Sequence, residues 1–279
     1  MSLKTTRKGQ SFESQGKGMT AVSRLPIGLS FERILIPFTG VTLAEMTEVR
    51  LVANGETIRT FRSAAKLETQ NRFDGMAATN GILVLNLVRH GLRTRAGEEL
   101  TKIGTGAPRN NNAGSPAYNP NPITTFAVEI DVDAGATNPP VFGVPKLHQD
   151  LPAPTGAIVK SKQYTYSPTG AGVFEIADLP KGELINRVFF YTPNNKIDSL
   201  EVERDNFVSF SRSTAENQLL QSEGQRVPQT GLWVYDPTEN GNGSEGLPTA
   251  NVHDLRFRLE MSAAETVEVV VETLSLLKV

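Results

Sequence analysis

Cysteine is absent from this 279-residue chain, which excludes disulfides, thiolate metal sites and a thiol nucleophile. Histidine is scarce: His90, His148 and His253 are the full set, and none has another at ligand spacing. A two-cupin oxidase or decarboxylase, which needs clustered histidines with a carboxylate, is therefore not expected. No apolar run approaches the roughly 18 residues of a membrane span. The opening MSLKTTRKGQSFESQGKG carries charge without the apolar stretch of a secretory signal, so the expectation is a soluble chain used without export. Neither a Gly-x-Ser-x-Gly elbow nor a Gly-x-x-x-x-Gly-Lys-Ser/Thr phosphate loop occurs. Aromatics make up 7% with a single Trp, and the net charge is −2, so neither a sugar-binding platform nor a global nucleic-acid footprint stands out.

What is present is a repeat. LPIGLSFER (Leu25 to Arg33) returns as LPKGELINR (Leu179 to Arg187), each followed by an apolar run. The match continues: Val49-Arg50-Leu51 falls on Leu200-Glu201-Val202, IRTFRSAA (Ile58 to Ala65) on VSFSRSTA (Val208 to Ala215), and GILVLN (Gly81 to Asn86) on GLWVYD (Gly231 to Asp236). Phe126, Val128, Ile130 and Val132 fall on Leu255, Phe257, Leu259 and Met261 after a larger jump. Small changes of offset are what a duplicated unit shows when loops are trimmed and strands kept.

Within each copy the apolar residues alternate with period two, the mark of strands with one packed and one wet face. Val267 to Val271 reads as a buried strand, and Asn54-Gly55, Asp205-Asn206 and Pro193-Asn194-Asn195 read as turns. Helix is expected only in short pieces: SAAKLETQNRF after Arg62, STAENQLLQSEG after Arg212, and a turn or so begun at Thr42. Long polar loops occupy equivalent places at 91–123 and 236–250, and a Pro-rich stretch at 134–156 puts the boundary between the halves around 135–160, with room inside it for one strand of the first half. The expected fold is all-β: two tandem jelly-roll barrels or sandwiches, a double jelly roll, with short helices in loops. The expected domains are 1–20, a flexible basic N-terminal arm; 21–150, the first barrel; and 151–279, the second. Residues 1–20 carry Lys4, Arg7, Lys8 and Lys17 against Glu13, while the remainder of the chain is net acidic.

No catalytic residues emerge. The acids of Asp131-Val132-Asp133-Ala134-Gly135 could offer oxygens to calcium, but they lack the rest of an EF-hand loop and read as outward positions of a strand ending at the glycine. Arg33 and Arg187, the repeated arginines, suggest anion binders and read more simply as braces of the sandwich. Trp233, aligned with Leu83, reads as core. Thirty acidic residues offer many pairs for a two-carboxylate hydrolase, and nothing marks one of them.

The run SRLPIGLSFERILIPFTGVTLAEMTEVRLVANGETIRTFRS (Ser23 to Ser63), with FEIADLPKG (Phe174 to Gly182), resembles the double jelly-roll major capsid protein of corticoviruses, tailless icosahedral bacteriophages with an internal membrane. The likeness is strongest over residues 23–70 and 174–205. The loops at 105–123 and NGNGSEG depart from it, pointing to a related phage. The resemblance implies a virion capsid protein made in the bacterial cytoplasm, without catalytic residues or a required cofactor. It implies upright barrels, three copies forming a pseudo-hexagonal capsomer, structural calcium between subunits at unassigned residues, and a shell around a membrane. The implied partners are further copies, a vertex penton and, through the basic arm, the membrane; no specific nucleic-acid binding is implied. The other reading is a two-domain β-sandwich phage protein that binds a receptor or carbohydrate.

Overall fold

The computed structural model describes residues 5–77 and 80–277. In the first half the strands are β1 (Thr5–Lys8), β2 (Thr20–Arg24), β3 (Ser30–Thr39), β4 (Met46–Ala53), β5 (Glu56–Phe61), β6 (Ile82–Asn86), β7 (Ile103–Gly104), β8 (Phe126–Val132), β9 (Val141–Phe142) and β10 (Lys146–Asp150), with helices α1 (Ala64–Phe73) and α2 (Arg95–Glu99). The second half holds β11 (Ile158–Tyr166), β12 (Gly172–Ile176), β13 (Leu184–Tyr191), β14 (Ile197–Arg204), β15 (Phe207–Ser213), α3 (Thr214–Glu223), β16 (Leu232–Tyr235), β17 (Leu247–Pro248), β18 (Leu255–Met261) and β19 (Val267–Ser275).

Two sheets, β1-β10-β3-β6 and β2-β8-β4-β5, make the first sandwich; β11-β19-β13-β16 and β12-β18-β14-β15 make the second in the same order. Each is an eight-stranded jelly roll, with the two-residue strands added at β3 and β13. The duplication reaches fine detail. Bulges interrupt the ladder at Met46/Glu48 and at Ile197/Ser199, and again at Leu51/Val52 and Val202/Glu203. Gly28 and Gly182, the glycines of the repeated Leu-Pro-x-Gly, both hold positive φ, at 121° and 103°, where a side chain would be strained. Their N–H groups donate to Thr105 Oγ1 and Thr249 Oγ1 respectively, so one turn design is used twice.

Inward residues of the facing sheets form the two cores, with Phe31, Ile34, Ile36 and Ile130 in one and Phe190, Trp233, Phe257 and Val269 in the other. Each such side chain, fully buried, contributes roughly 1.5–3 kcal/mol. The turns are as the sequence reads: Asn54-Gly55 and Asp205-Asn206 have positive φ at both residues and close the β4–β5 and β14–β15 hairpins. Ser63 and Ser213 cap α1 and α3.

Four expectations are corrected. The segment 5–20 is not a free arm, because β1 pairs with β10 and Phe12 is buried in the first core; residues 1–4 lie outside the described residues. Its charges point away from a strand, but an edge strand held through its backbone leaves Thr6, Arg7 and Lys8 exposed and tolerates basic side chains. The Pro-rich stretch, expected to leave room for one strand of the first sandwich, holds two, β9 and β10, and both pair with β3. Strands β5 and β15 correspond one residue differently from the repeat: Val49 faces Phe61 while Leu200 faces Arg212, although the caps Ser63 and Ser213 keep the expected spacing. One residue is lost between strand and helix.

The fourth correction is at Thr42, which starts a turn instead of a helix. Thr42 Oγ1 accepts from Glu45 N, and Glu45 Oε2 accepts from Thr42 N at 2.7 Å, the reciprocal pairing of a capping box, but Met46 at once enters β4. The N–H of Thr137 donates to the same carboxylate, and with Thr42 it holds Glu45 down at about 2 against the usual 4.5. A depressed carboxyl contributes stability that is present above pH 4.5 and lost as pH falls towards 2. The gap in melting temperature between wild type and Glu45→Gln is therefore expected to be widest above pH 5 and to close towards pH 2. Melts across that range check it, and a constant gap would contradict it.

Candidate functional site

The histidines do not converge. His148 lies in β10, His90 and His253 in loops, and among the described residues the one group of three metal-ligating side chains holds no histidine. That group is Glu32, Glu99 and Asp150, whose ligand oxygens lie within 4.8 Å of one another. Lys102 Nζ stands 3.3 Å from Asp150 and Arg95 Nε 2.5 Å from Glu99. Two of the three carboxylates are therefore already neutralised by protein cations. Asp131 is engaged by Arg50, at 2.6 and 2.9 Å, and Asp133 Oδ1 accepts the N–H of Gly135 at the strand end. Trp233 is buried and donates to Thr214 Oγ1.

The concentrated chemistry is at the seam between the sandwiches. Edge strand β5 abuts edge strand β11: Ser161 Oγ accepts from Thr60 N at 2.9 Å and Gln163 Nε2 donates to Thr60 O at 2.6 Å. Helix α1 lies on the outer face of β11-β19-β13-β16, where Phe73 joins Phe189, Tyr191, Leu232, Val234 and Val270 in a third apolar cluster. Gln70 Nε2 donates to Tyr191 Oη at 2.9 Å, and Lys66 pairs with Glu268.

Beneath this lies a buried ionic network. Glu272 accepts from Arg187 at 2.9 Å and from Arg59, across the seam, also at 2.9 Å. Asp74, at the end of α1, accepts from Arg187 at 2.5 Å and from Arg226 at 3.1 Å, and Arg226 also pairs with Asp236 at 2.9 Å. Burial opposes ionisation of Glu272, yet Arg187 and Arg59 outweigh it and hold the carboxyl below its usual range. Burial likewise pushes Arg89 down to about 10, aided by the charge of Arg187. Arg89 nevertheless donates to Gly243 O, and Arg226 to His90 O, so loops of the two halves are tied as well.

Of the repeated arginines, only Arg187 enters the network, and it braces sandwich to sandwich. Arg33 stays on the outer face of β3 beside Met76. Nothing in the sequence alone singles out Arg59, Asp74, Arg226, Asp236 and Glu272. The nearest to a signal is a charge set within an apolar strand, as Arg187 before Val188-Phe189-Phe190 and Glu272 after the valine run.

Comparison with known proteins agrees with this architecture. The family model for the viral coat protein P2 N-terminal domain matches residues 6–146, and that for the viral coat protein P2 C-terminal domain matches residues 158–277. Major capsid protein P2 of Pseudoalteromonas phage PM2 is 20% identical over 269 residues, 94% of this chain and 93% of that protein. The crystal structure of the major capsid protein P2 from bacteriophage PM2 superposes with a TM-score of 0.87 at 18% identity, over 99% of this chain and 98% of that one. The crystal structure of the STIV MCP superposes at 0.67 and 11% identity, over 98% and 97%. At these identities the structures speak for the fold, a double jelly roll. Because the two family models cover both sandwiches, the chain belongs to the viral coat protein P2 family.

Proposed function

We propose that this protein is the major capsid protein of a tailless icosahedral bacteriophage, a structural component of the virion and not an enzyme. In this reading it assembles as pseudo-hexagonal trimers into a shell around an internal membrane. The observation that carries the reading is the repeated jelly roll locked by one seam: two similar sandwiches held rigidly in each chain give six similar towers in three chains. Edge strands held at a seam are also protected from adventitious pairing. A vertex protein and the membrane complete the partners. For the membrane, Arg7 and Lys8 offer charge from a strand of the folded sandwich, not from a free arm.

Light scattering on the purified protein, with calcium and after chelation, tests the reading. A species of three 30.3-kDa chains, or shells built from it, is the expected result. A monomer under every condition overturns it.

A further inference from the structure

We infer that the seam between the sandwiches binds one internal water molecule as a fixed part of its ionic lock, with Arg59 and Arg89 donating to it and Asn86 and Asn186 accepting from it.

A cavity of about 20 Å³ lies within the buried network, and Arg59, Asn86, Arg89 and Asn186 are among the residues that line it. Roughly 10–15 Å³ is the least that a water needs, so there is room for one. The four side chains are 9%, 8%, 7% and 2% exposed. Each brings one buried polar atom that has no hydrogen-bond partner in the chain: Arg59 Nε, Asn86 Oδ1, Arg89 Nη2 and Asn186 Oδ1. A buried donor or acceptor left unpaired costs its whole desolvation, so four gathered on one cavity call for a common partner. Other atoms of the same side chains already hold them in place. Arg59 Nη1 donates to Asn86 O at 2.8 Å and Nη2 to Glu272 at 2.9 Å. Asn86 Nδ2 donates to Val88 O, Arg89 Nη1 to Gly243 O and Asn186 Nδ2 to Glu272 Oε2. A bulge brings Asn186 here. The β13–β19 register shifts between Ile185 and Arg187, and the extra residue lets Asn186 and Arg187 donate to the same carboxylate.

The make-up of the set decides the ligand. Two donors and two acceptors are the complement of a single water, which accepts twice and donates twice. Charge alone would favour an anion, because Arg59, Arg89, Arg187 and Arg226 stand with only Asp74, Asp236 and Glu272, a surplus of one positive charge. An anion has no proton to offer the two carbonyl oxygens, however. Turning the amides round would set Asn186 Oδ1 against Glu272 and Asn86 Oδ1 against Val88 O, oxygen facing oxygen in both. A cation is refused by the two guanidinium groups. Three of the four contacts come from the first sandwich and its β6 loop, and the fourth, Asn186, from β13 of the second, so the water spans the seam. It joins Arg89, which has no carboxylate within salt-bridge distance among the described residues, to the rest of the lock.

Crystals of the full-length protein, diffracting well enough to show ordered water, test this. The expected result is a single density peak within about 3.2 Å of Arg59 Nε, Arg89 Nη2, Asn86 Oδ1 and Asn186 Oδ1. Crystals soaked in sodium bromide are expected to show the same peak without anomalous signal. An anomalous bromide peak in the cavity would overturn water in favour of an anion. A peak touching two or fewer of the four atoms, or a closed cavity in which the four pair directly with one another, would overturn the site itself. The capsid reading is untouched by any of these results, since the site lies within one chain.

Discussion

Replacing Glu272 by glutamine is expected to destabilise the protein by about 3–5 kcal/mol, the range for removing one partner from a buried ion pair. The side chain is 1% exposed and takes hydrogen bonds from Arg187 and Arg59 at 3.0 and 2.9 Å. Glutamine keeps its volume, so no cavity opens and the effect is electrostatic. Arg187 retains Asp74, but Arg59 is left buried with its carboxylate partner gone. The pH dependence has a definite sign. The Glu272 carboxyl is held below its usual value, so its contribution is present above pH 4.5 and lost as pH falls through the folded value. Urea unfolding followed by the fluorescence of Trp233, the sole tryptophan, measures the loss. A loss under 1 kcal/mol at pH 7 would mean that the network is solvated and not a clamp.

Such a network stabilises poorly for its size, because each charge is desolvated before it is paired. What it supplies is orientation. An apolar patch such as that around Phe73 tolerates sliding, whereas Arg187 reaching both Asp74 and Glu272 is satisfied in one placement of the halves. For a chain whose two sandwiches must present fixed lateral faces to neighbours, that geometric demand is the useful property.

The sandwiches were legible because period-two alternation is local. Phe126 to Val132 and Leu255 to Met261 state their own inward faces, and the offsets between copies add the topology. Helix starts were legible at Ser63 and Ser213 for the same reason. The seam was not, since Arg59 and Glu272 are 213 positions apart and meet only after both sandwiches have formed. The β5–β15 register failed for a subtler cause. Arg62-Ser63 and Arg212-Ser213 match so well that they pull the preceding strand one position out of step, and only the pairing of Val49 with Phe61 and of Leu200 with Arg212 exposes it. The first strand was hidden by its composition, because Thr5-Thr6-Arg7-Lys8 has no apolar face and is held by the backbone of β10.

Truncating Phe73 to alanine is the second substitution expected to have a large effect, about 3–5 kcal/mol. By sequence Phe73 ends a helix of the first half; by packing it belongs to the second, 1% exposed, with its ring 6.1 Å from that of Phe189 at 82° and the Arg226 guanidinium 5.9 Å from its centre. The site cannot collapse around the missing ring. Helix α1 is fixed by its Ser63 cap and by Asn71 on Val84 O, while Phe189 sits in the middle of β13, hydrogen-bonded on both sides. The cavity should therefore persist, and the loss should fall on the seam and not on either core. Limited proteolysis separates these cases. Residues 151–157 connect the sandwiches and Leu151 is 45% exposed, so Phe73→Ala is expected to speed cleavage there while each half resists further digestion. A loss below 1 kcal/mol with unchanged cleavage would show that the sandwiches stand independently, and the rigidity required of a two-tower subunit would then have to come from contacts between chains.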